Sequence, residues 1–185
     1  MPTLTCRRRK GEGGFLKASD WIAEFLKQKV EYVFGLQGGA VVHLFDSCER
    51  IGPKPIYCHH EQAAAFSASG YARVHGYGVC IATTGPGAVN ALTGCLGAWQ
   101  DSIPMMFISG QARADQTSYG KRVRQVGTQE FPITTVASQM TNSAIFIADA
   151  GAIKEAFEFS YRKSVSGRPG PCWIDLPVDL QWGEI

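Results

Sequence analysis

One stretch decides the fold of this 185-residue chain: Tyr57-Cys58-His59-His60-Glu61-Gln62-Ala63-Ala64-Ala65-Phe66-Ser67-Ala68-Ser69-Gly70-Tyr71-Ala72-Arg73. The apolar run at its start, residues 55–58, predicts a buried strand, and the two histidines predict the turn that follows. A helix rich in small residues then begins at Glu61. A carboxylate in the first turn of a helix interacts favourably with the helix dipole, which is the simplest interpretation of an isolated glutamate at this position.

The setting of Glu61 favours a more specific interpretation. Small apolar residues flank it, so we expect it in a packed layer: Ala63, Ala64, Ala65 and Ala68. A buried carboxylate without a cation is costly, and it is therefore either protonated or paired with a donor, including a donor on a ligand. No Lys or Arg follows it until Arg73, three helical turns later.

Apolar segments alternate with helical patterns about six times. Strands are predicted at residues 30–34, 55–58, 78–83, 105–108, 142–147 and 172–176. Helices are predicted at residues 18–26, 41–50, from 61 onward, 89–100, 130–137 and up to 165, the last with Asp149 as its N-cap. The fold class is therefore α/β, a three-layer, doubly wound parallel sheet of about six strands with helices on both faces. One domain is expected over residues 15–185, after a basic tail over residues 1–14 that we expect to be disordered.

Charge and composition exclude several classes of protein. The formal charge is +2, and the first 14 residues contribute +3 (four basic residues against Glu12), so the remaining body carries −1. A body so close to neutral gives no support for nucleic-acid binding. No segment has the apolar length of a membrane span, and the basic run lacks the apolar region of a secretory signal. The six cysteines show no C-x-x-C spacing, which favours a reducing, cytoplasmic location.

Four loops fall at the predicted strand ends: residues 36–39, 59–61, 85–87 and 110–111. In open parallel sheets, ligands bind beyond the carboxyl ends of the strands. The clustering of these loops therefore predicts one ligand site at that edge of the sheet.

Three common site types do not fit these loops. The glycines of Gly85-Pro86-Gly87 lack the third glycine of a dinucleotide-binding turn, because Asn90 stands at that position. His59 and His60 have no second histidine at helical spacing, and we expect no metal site in this chain. No G-x-S-x-G motif of a serine hydrolase occurs.

The order His60-Glu61-Gln62, followed by Gly70-Tyr71-Ala72-Arg73, resembles the signature of the pyrimidine-binding domain of thiamine-diphosphate enzymes, and most closely the acetolactate synthase large-subunit group. The resemblance extends from about Ala18 to Gln181, with the motifs in the family order. It implies that Glu61 is the catalytic residue, which binds a ring nitrogen of the aminopyrimidine and activates the cofactor.

The resemblance implies the remaining site residues as well. Residues 83–90 resemble the loop that lines the aminopyrimidine, and residues 124–130 resemble the segment that places a glutamine near it. The implied cofactor-binding residues are Gly38, Gly39, Glu61, Pro86, Asn90 and Gln129, and the implied active-site or substrate neighbours are Leu36, Gln37 and His60. The family often has an aromatic residue and a proline where Leu36 and Gln37 stand, and this departure leaves the substrate preference open.

The implied reaction is decarboxylation of a 2-oxo acid such as pyruvate, or carboligation after it, with thiamine diphosphate and Mg²⁺ as cofactors. The family's Gly-Asp-Gly element, which holds Mg²⁺ and the diphosphate, does not occur in the 185 residues. The resemblance implies that it lies in a diphosphate-binding domain, either in the rest of the chain or in a partner subunit. We therefore expect this chain alone to be inactive. No residue supports FAD as a second cofactor, and its use stays open.

Two alternative functions remain. Within the same chemistry, the enzyme would transfer an acetyl unit from pyruvate to a keto sugar. In a different class, the chain would be a non-catalytic assembly or regulatory subunit. A homodimer or larger assembly is expected, since the small Ala and Ser face of the Glu61 helix permits the close approach of a partner helix.

Overall fold

Six parallel strands form the sheet, in the order β2-β1-β3-β4-β6-β5. A computed structural model describes residues 16–185, so the predicted tail over residues 1–14 lies outside the described residues. The strands are β1 (Tyr32–Gly35), β2 (Lys54–Tyr57), β3 (Gly78–Ala82), β4 (Met105–Gln111), β5 (Ser143–Phe146) and β6 (Pro171–Pro177). The helices are α1 (Ala18–Lys27), α2 (Val42–Ile51), α3 (Glu61–His75), α4 (Pro86–Gln100), α5 (Ile133–Ala137), α6 (Ile153–Val165) and α7 (Val178–Trp182).

Side chains of the central strands alternate between two apolar cores, one on each face of the sheet. On β3, Val79 and Ile81 belong to the core that includes α1, α2 and α6. Cys80 and Ala82 belong to the core that includes α3, α4 and α5. Because both faces are covered, β3 is apolar without interruption, and β4 and β6 carry polar residues only towards their carboxyl ends. The predicted three-layer, doubly wound α/β fold is confirmed.

The small residues of α3 pack inside this chain. Ala64, Ala65 and Ala68 are fully buried, and a Cβ added to Gly94 of α4 would collide with the Cβ of Ala65. The close approach expected for a partner helix is therefore made by α4 of the same chain. The outer face of α3 carries different residues, among them Phe66, which is 50% exposed.

A strand forms close to residues 55–58 as predicted, but the prediction that it is buried is wrong. The strand exists as β2, but it lies at the edge of the sheet, and Ile56 and Tyr57 are each 41% exposed. A short apolar run cannot by itself distinguish an edge strand from a central one.

Several element boundaries differ from those predicted. Helix α4 begins at Pro86, three residues earlier than expected, because Gly85 caps it at φ +56° and proline suits the first helical position. Helix α5 begins at residue 133 rather than 130, and α7 was not predicted. Asp149 was predicted to cap the helix that reaches Val165, but it caps the 3₁₀ turn Ala150–Ala152 that leads into α6, where its side chain accepts a hydrogen bond of 2.6 Å from the backbone N–H of Gly151. The N-cap of α6 itself is Ala152.

The strand order reverses direction between β1 and β3. The chain runs outward from β1 to β2 and then returns to place β3 on the other side of β1. Such a switch point separates the loops at the carboxyl ends of the two central strands and opens a crevice for ligands. In the described part of the chain, no helix has the length and apolar character to cross a membrane.

Candidate cofactor-binding site

The loops that follow β1 and β3 meet at the switch point. A Cβ added to Gly38 would lie 2.5 Å from both the Cβ and the Oγ1 of Thr83. Any larger residue at position 38 would therefore push the two loops apart. A Cβ added to Gly39 would have no atom within 4 Å, so this glycine faces open space.

Glu61 lies at the first position of α3 and is 6% exposed. Its Oε2 accepts a hydrogen bond of 3.0 Å from Nδ2 of Asn90 on α4. A Cβ added to Gly87 would lie 3.1 Å from Oε1 of Glu61 and 2.7 Å from Cγ2 of Thr83. The amino ends of α3 and α4 thus converge on one buried carboxyl group, whose hydrogen-bond partner is a neutral amide.

His60 is the N-cap of α3. Its Nδ1 accepts a hydrogen bond of 3.1 Å from the backbone N–H of Gln62, and its side chain is exposed. This bond satisfies one of the free donors in the first turn of the helix. His60 therefore fixes the start of the helix that carries Glu61, and its contact with a ligand stays a prediction.

Gln129 lies against Gly85, the residue that caps the start of α4. Both residues have φ +56°, and a Cβ on Gly85 would collide with the carbonyl oxygen of Gln129. A cavity of about 470 Å³ forms here, lined by Gly85, Pro86, Val89, Asn90, Gln125, Gln129, Glu130 and Phe131. The structure therefore brings Pro86, Asn90 and Gln129 together, and Asn90 links this cavity to Glu61.

A second cavity, of about 410 Å³, contains the glycine loop after β1. Its lining residues are Gln37, Gly38, Gly39, Val42, Phe45, Asp46 and Glu49. Leu36 is half-buried. Asp46 is ion-paired with Arg50 at 3.1 Å and with Lys17 at 3.4 Å. Six of the predicted site residues thus line one of these two cavities, whereas Leu36, His60 and Glu61 line neither of them. Gly38, in the second cavity, closely approaches Thr83 in the loop after β3.

A larger cavity, of about 630 Å³, lies elsewhere. It is lined by the residues that precede β1 and β2, together with His75 at the end of α3. These positions lie at the amino ends of the strands, whereas ligands of open parallel sheets bind at the carboxyl ends. The size of this cavity therefore does not make it the candidate site.

Sequence reasoning missed a buried polar network beside the site. Thr84, Gln111 and Asp175 lie within two residues of the carboxyl ends of β3, β4 and β6, and hydrogen bonds connect them. Burial raises the pKa of Asp175 to about 7, against the opposing effect of hydrogen bonds from Ser109, Gln111 and Tyr119. Polar residues that end otherwise apolar strands were the available signal in the sequence.

Other ionisable groups do not form a site of their own. Among residues 16–185, no group of three or more His, Cys, Asp or Glu side chains is arranged to hold a metal ion. The five cysteines in this range are free. Burial raises the pKa of Cys48 to about 12 and that of Cys172 to about 11, so both stay protonated at neutral pH.

Comparison with known families identifies the domain. The family model described as "Thiamine pyrophosphate enzyme, N-terminal TPP binding domain" matches residues 16–137. The chain belongs to this family. The matched range includes all of the predicted site residues, and the relationship inferred from the motifs around Glu61 is confirmed.

Relatives of this thiamine pyrophosphate enzyme domain come from bacteria, plants and archaea. The chain is 36% identical over 171 residues to acetolactate synthase isozyme 2 large subunit of Escherichia coli strain K12, covering 90% of this chain and 30% of that protein. It is 37% identical over 171 residues to the chloroplastic acetolactate synthase of Arabidopsis thaliana, covering 89% and 24%. It is 36% identical over 172 residues to a probable acetolactate synthase large subunit of Methanocaldococcus jannaschii, covering 92% and 28%. The chain therefore spans less than a third of the length of these relatives.

Proposed function

We propose that this chain is the pyrimidine-binding half of a thiamine-diphosphate-dependent 2-oxo acid decarboxylase or carboligase that resembles acetolactate synthase. Glu61 is the group that activates the cofactor. One observation carries the proposal: a buried carboxyl group lies where two helices begin beside the switch point of the sheet, held by a neutral amide. Membership of the family supports thiamine diphosphate as the ligand.

The residues present fit the aminopyrimidine ring of that cofactor. A flat aromatic ring needs backbone that it can approach without a side chain in between, and Gly39 offers such backbone, since a Cβ added there would meet no atom within 4 Å. The glycines at positions 38 and 87 instead make room for Thr83. The ring nitrogens and the amine need polar partners, which the carboxyl of Glu61 supplies. Pro86, Asn90 and Gln129 lie together on the adjacent cavity.

Each of these residues has a definite task in the proposal. Glu61 shares a proton with a ring nitrogen of the aminopyrimidine, as a buried general acid–base group does. Asn90 holds the carboxyl of Glu61 from the other side by the hydrogen bond of 3.0 Å. When bound, thiamine diphosphate supplies the carbanion-stabilising chemistry that cleaves or forms the carbon–carbon bond next to the carbonyl of a 2-oxo acid.

The diphosphate and Mg²⁺ are assigned to residues outside the described range. We place these residues in a diphosphate-binding domain, either of the same protein or of a partner subunit. No described residue argues for FAD. The free cysteines fit a reducing compartment, and we propose the cytoplasm.

Assembly into a homodimer or a larger oligomer is part of the proposal. The outer faces of α3 and α4 expose large apolar side chains: Phe66 at 50%, Val74 at 78%, Val89 at 42%, Leu96 at 42% and Trp99 at 38%. An exposed apolar patch on one side of a domain is typical of an interaction surface. The buried position of Glu61 favours a catalytic domain over a purely structural assembly subunit.

Calorimetric titration with thiamine diphosphate and Mg²⁺ tests this function. The described residues supply contacts to the pyrimidine only, so we expect a Kd of about 1 mM or weaker for this chain alone, equivalent to about 4 kcal/mol of binding free energy. We call this chain together with the diphosphate-binding domain the completed enzyme. We expect the completed enzyme to bind thiamine diphosphate tightly, and Glu61→Ala to weaken that binding. Tight Mg²⁺-dependent binding to this chain alone contradicts the half-site assignment, and no binding by the completed enzyme contradicts the function.

A further inference from the structure

The amide of Gln111 at the end of β4 uses all of its hydrogen-bonding capacity. Its Nε2 donates to the carbonyl oxygen of Phe131 at 2.8 Å and to Oδ2 of Asp175 at 2.9 Å. Its Oε1 accepts from Oγ1 of Thr84 at 2.7 Å and from the backbone N–H of Ala112 at 2.9 Å. A primary amide has two donors and two acceptor sites, and here every one has a partner.

Two of these partners, Thr84 and Phe131, belong to the two segments that carry the candidate cofactor contacts. Thr84 directly precedes Gly85, the cap of the helix that bears Pro86 and Asn90. Phe131 lies two residues after Gln129. One buried side chain, 1% exposed, therefore connects the start of α4 with the Gln129 segment.

The backbone of Gln129 shows why such a connection is needed. Its φ of +56° lies in the left-handed region, which is unfavourable for a residue with a side chain. A residue stays in this conformation only where its surroundings hold it. The hydrogen bond from Gln111 to Phe131 holds the segment on one side, and the contact with Gly85 holds it on the other.

The neighbours of Gln111 determine which way its amide points. The carboxyl group of Asp175 accepts hydrogen bonds from Oγ of Ser109 at 2.6 Å, from Gln111 and from the hydroxyl of Tyr119 at 3.3 Å. The Phe131 carbonyl can only accept and the Ala112 N–H can only donate, so they impose the same orientation on the amide. The oxygen of Gln111 must therefore face Thr84.

We propose that Gln111 is a positioning residue, which sets the relative position of the Gln129 segment and the start of α4 without touching the cofactor. The identity of the ligand at those two segments rests on the proposed function. The positioning role itself concerns the protein alone and can be measured without ligand.

Amide hydrogen exchange of the full chain tests the proposal in Gln111→Met, which has a similar volume and makes none of the four hydrogen bonds. We expect exchange in residues 127–132 and 84–90 to rise about tenfold or more, because several buried partners lose their bonds together. The matched control is Ser164→Ala, which removes a buried hydrogen bond to Tyr77 on another part of the fold. We expect it to leave exchange in both segments unchanged.

Thr84→Val tests the connection from the side of α4 alone. It also replaces Gln111→Met as the test variant if the Gln111→Met protein does not fold. Thr84→Val removes the hydrogen bond of the Thr84 hydroxyl to Gln111 and its longer bond, of 3.4 Å, to the carbonyl oxygen of Gln129, and it leaves the bond from Gln111 to Phe131 in place. Exchange should rise in residues 84–90 more than in residues 127–132. In the completed enzyme, Gln111→Met should raise the Kd for thiamine diphosphate about tenfold while the rate at saturation falls less.

Two results would overturn the positioning role: unchanged exchange of residues 127–132 in Gln111→Met, or an equal rise in Ser164→Ala. A protein whose segments loosen as expected but which binds no thiamine diphosphate in its completed form contradicts the proposed function instead. The two failures are therefore distinguishable.

Discussion

The side-chain amide of Asn90 donates a hydrogen bond of 3.0 Å to Oε2 of Glu61, and this bond joins the second turn of α4 to the first residue of α3. Both helix ends carry partial positive charge, which favours a negative group between them. The carboxyl of Glu61 is thus held by the fold while its partner remains a neutral amide. This relationship distinguishes the role of Glu61 from that of a carboxylate in a structural ion pair.

Glu61→Gln should leave the stability of the fold nearly unchanged and greatly reduce the rate of the reaction. The glutamine oxygen can still accept the one hydrogen bond from Asn90, so the free energy of unfolding should stay within about 1 kcal/mol of wild type. In the completed enzyme, the rate should fall about 10²- to 10⁴-fold, the range of general acid–base catalysis. Thermal unfolding measures the first quantity, and proton–deuterium exchange at the reactive carbon of thiamine diphosphate measures the second.

Glu130→Leu is the control for that stability result, because it shows the cost of removing a carboxylate that has a structural role. Glu130 is also buried, but its two oxygens accept from two different donors, Oγ of Ser118 at 2.7 Å and the N–H of Val126 at 3.3 Å. A leucine accepts from neither of them, so we expect a loss of about 1–3 kcal/mol. Unchanged cofactor proton exchange in Glu61→Gln refutes the catalytic assignment, whatever the two stabilities are.

Two glycines on α4 should respond oppositely to the same substitution. In Gly87→Ala the new methyl group would meet Cγ2 of Thr83 at 2.7 Å and Oε1 of Glu61 at 3.1 Å, so we expect a loss of about 1–3 kcal/mol. In Gly97→Ala its nearest contact is the ring of Phe66 at 3.7 Å, and the higher helix propensity of alanine should stabilise the protein by about 0.5–1 kcal/mol. Chemical denaturation of both variants measures these differences. Equal effects would show that no close approach exists at position 87.

Asp175 should make the protein less stable as pH rises from about 4 to about 7. Burial raises the pKa of Asp175 in the folded state to about 7, above the ordinary value of 3.8. Between these values the folded state holds a proton that the unfolded state has lost. Stability therefore falls by up to about 1.4 kcal/mol per pH unit across this window and levels off above the folded pKa.

Asp175→Asn isolates this contribution. Its oxygen can still accept from Gln111 and Tyr119, and its N–H group can donate to Ser109, so the network keeps its partners. We expect this variant to be more stable than wild type at pH 8, with the difference shrinking steadily toward pH 4. Denaturation curves at several pH values measure the difference, and a difference independent of pH would contradict the raised pKa.

The sequence predicted the layers of the fold better than the edge of the sheet. The unbroken apolar character of residues 78–82 indicated a strand covered on both sides, and β3 is such a strand. The run at residues 55–58 has the same character, yet β2 has only one neighbouring strand. The local sequence pattern shows how apolar a strand is, whereas the burial of that strand depends on which other strands and helices pack against it.

The same distinction applies to the candidate site. The burial of Glu61 was predicted from its immediate neighbours, because small apolar residues around one carboxylate are visible in a single stretch, whereas its catalytic role was implied by the family resemblance and stays a prediction. The bonds of Gln111 reach Thr84 across 27 positions and Asp175 across 64. They exist because β4 lies between β3 and β6, an order that the sequence pattern did not determine.

The exposed patch on α3 and α4 should mediate self-association. Phe66 is 50% exposed and its ring lies close to Gly97, so the apolar surfaces of the two helices are continuous at this point. Phe66→Glu places a charge in the patch, and we expect it to reduce the mass measured by light scattering from a dimer or larger to a monomer. The matched control is Val165→Glu on α6, which adds the same charge at a residue that is 41% exposed on the opposite side of the sheet. It should leave the mass unchanged, and a wild-type protein that stays monomeric at high concentration contradicts the prediction.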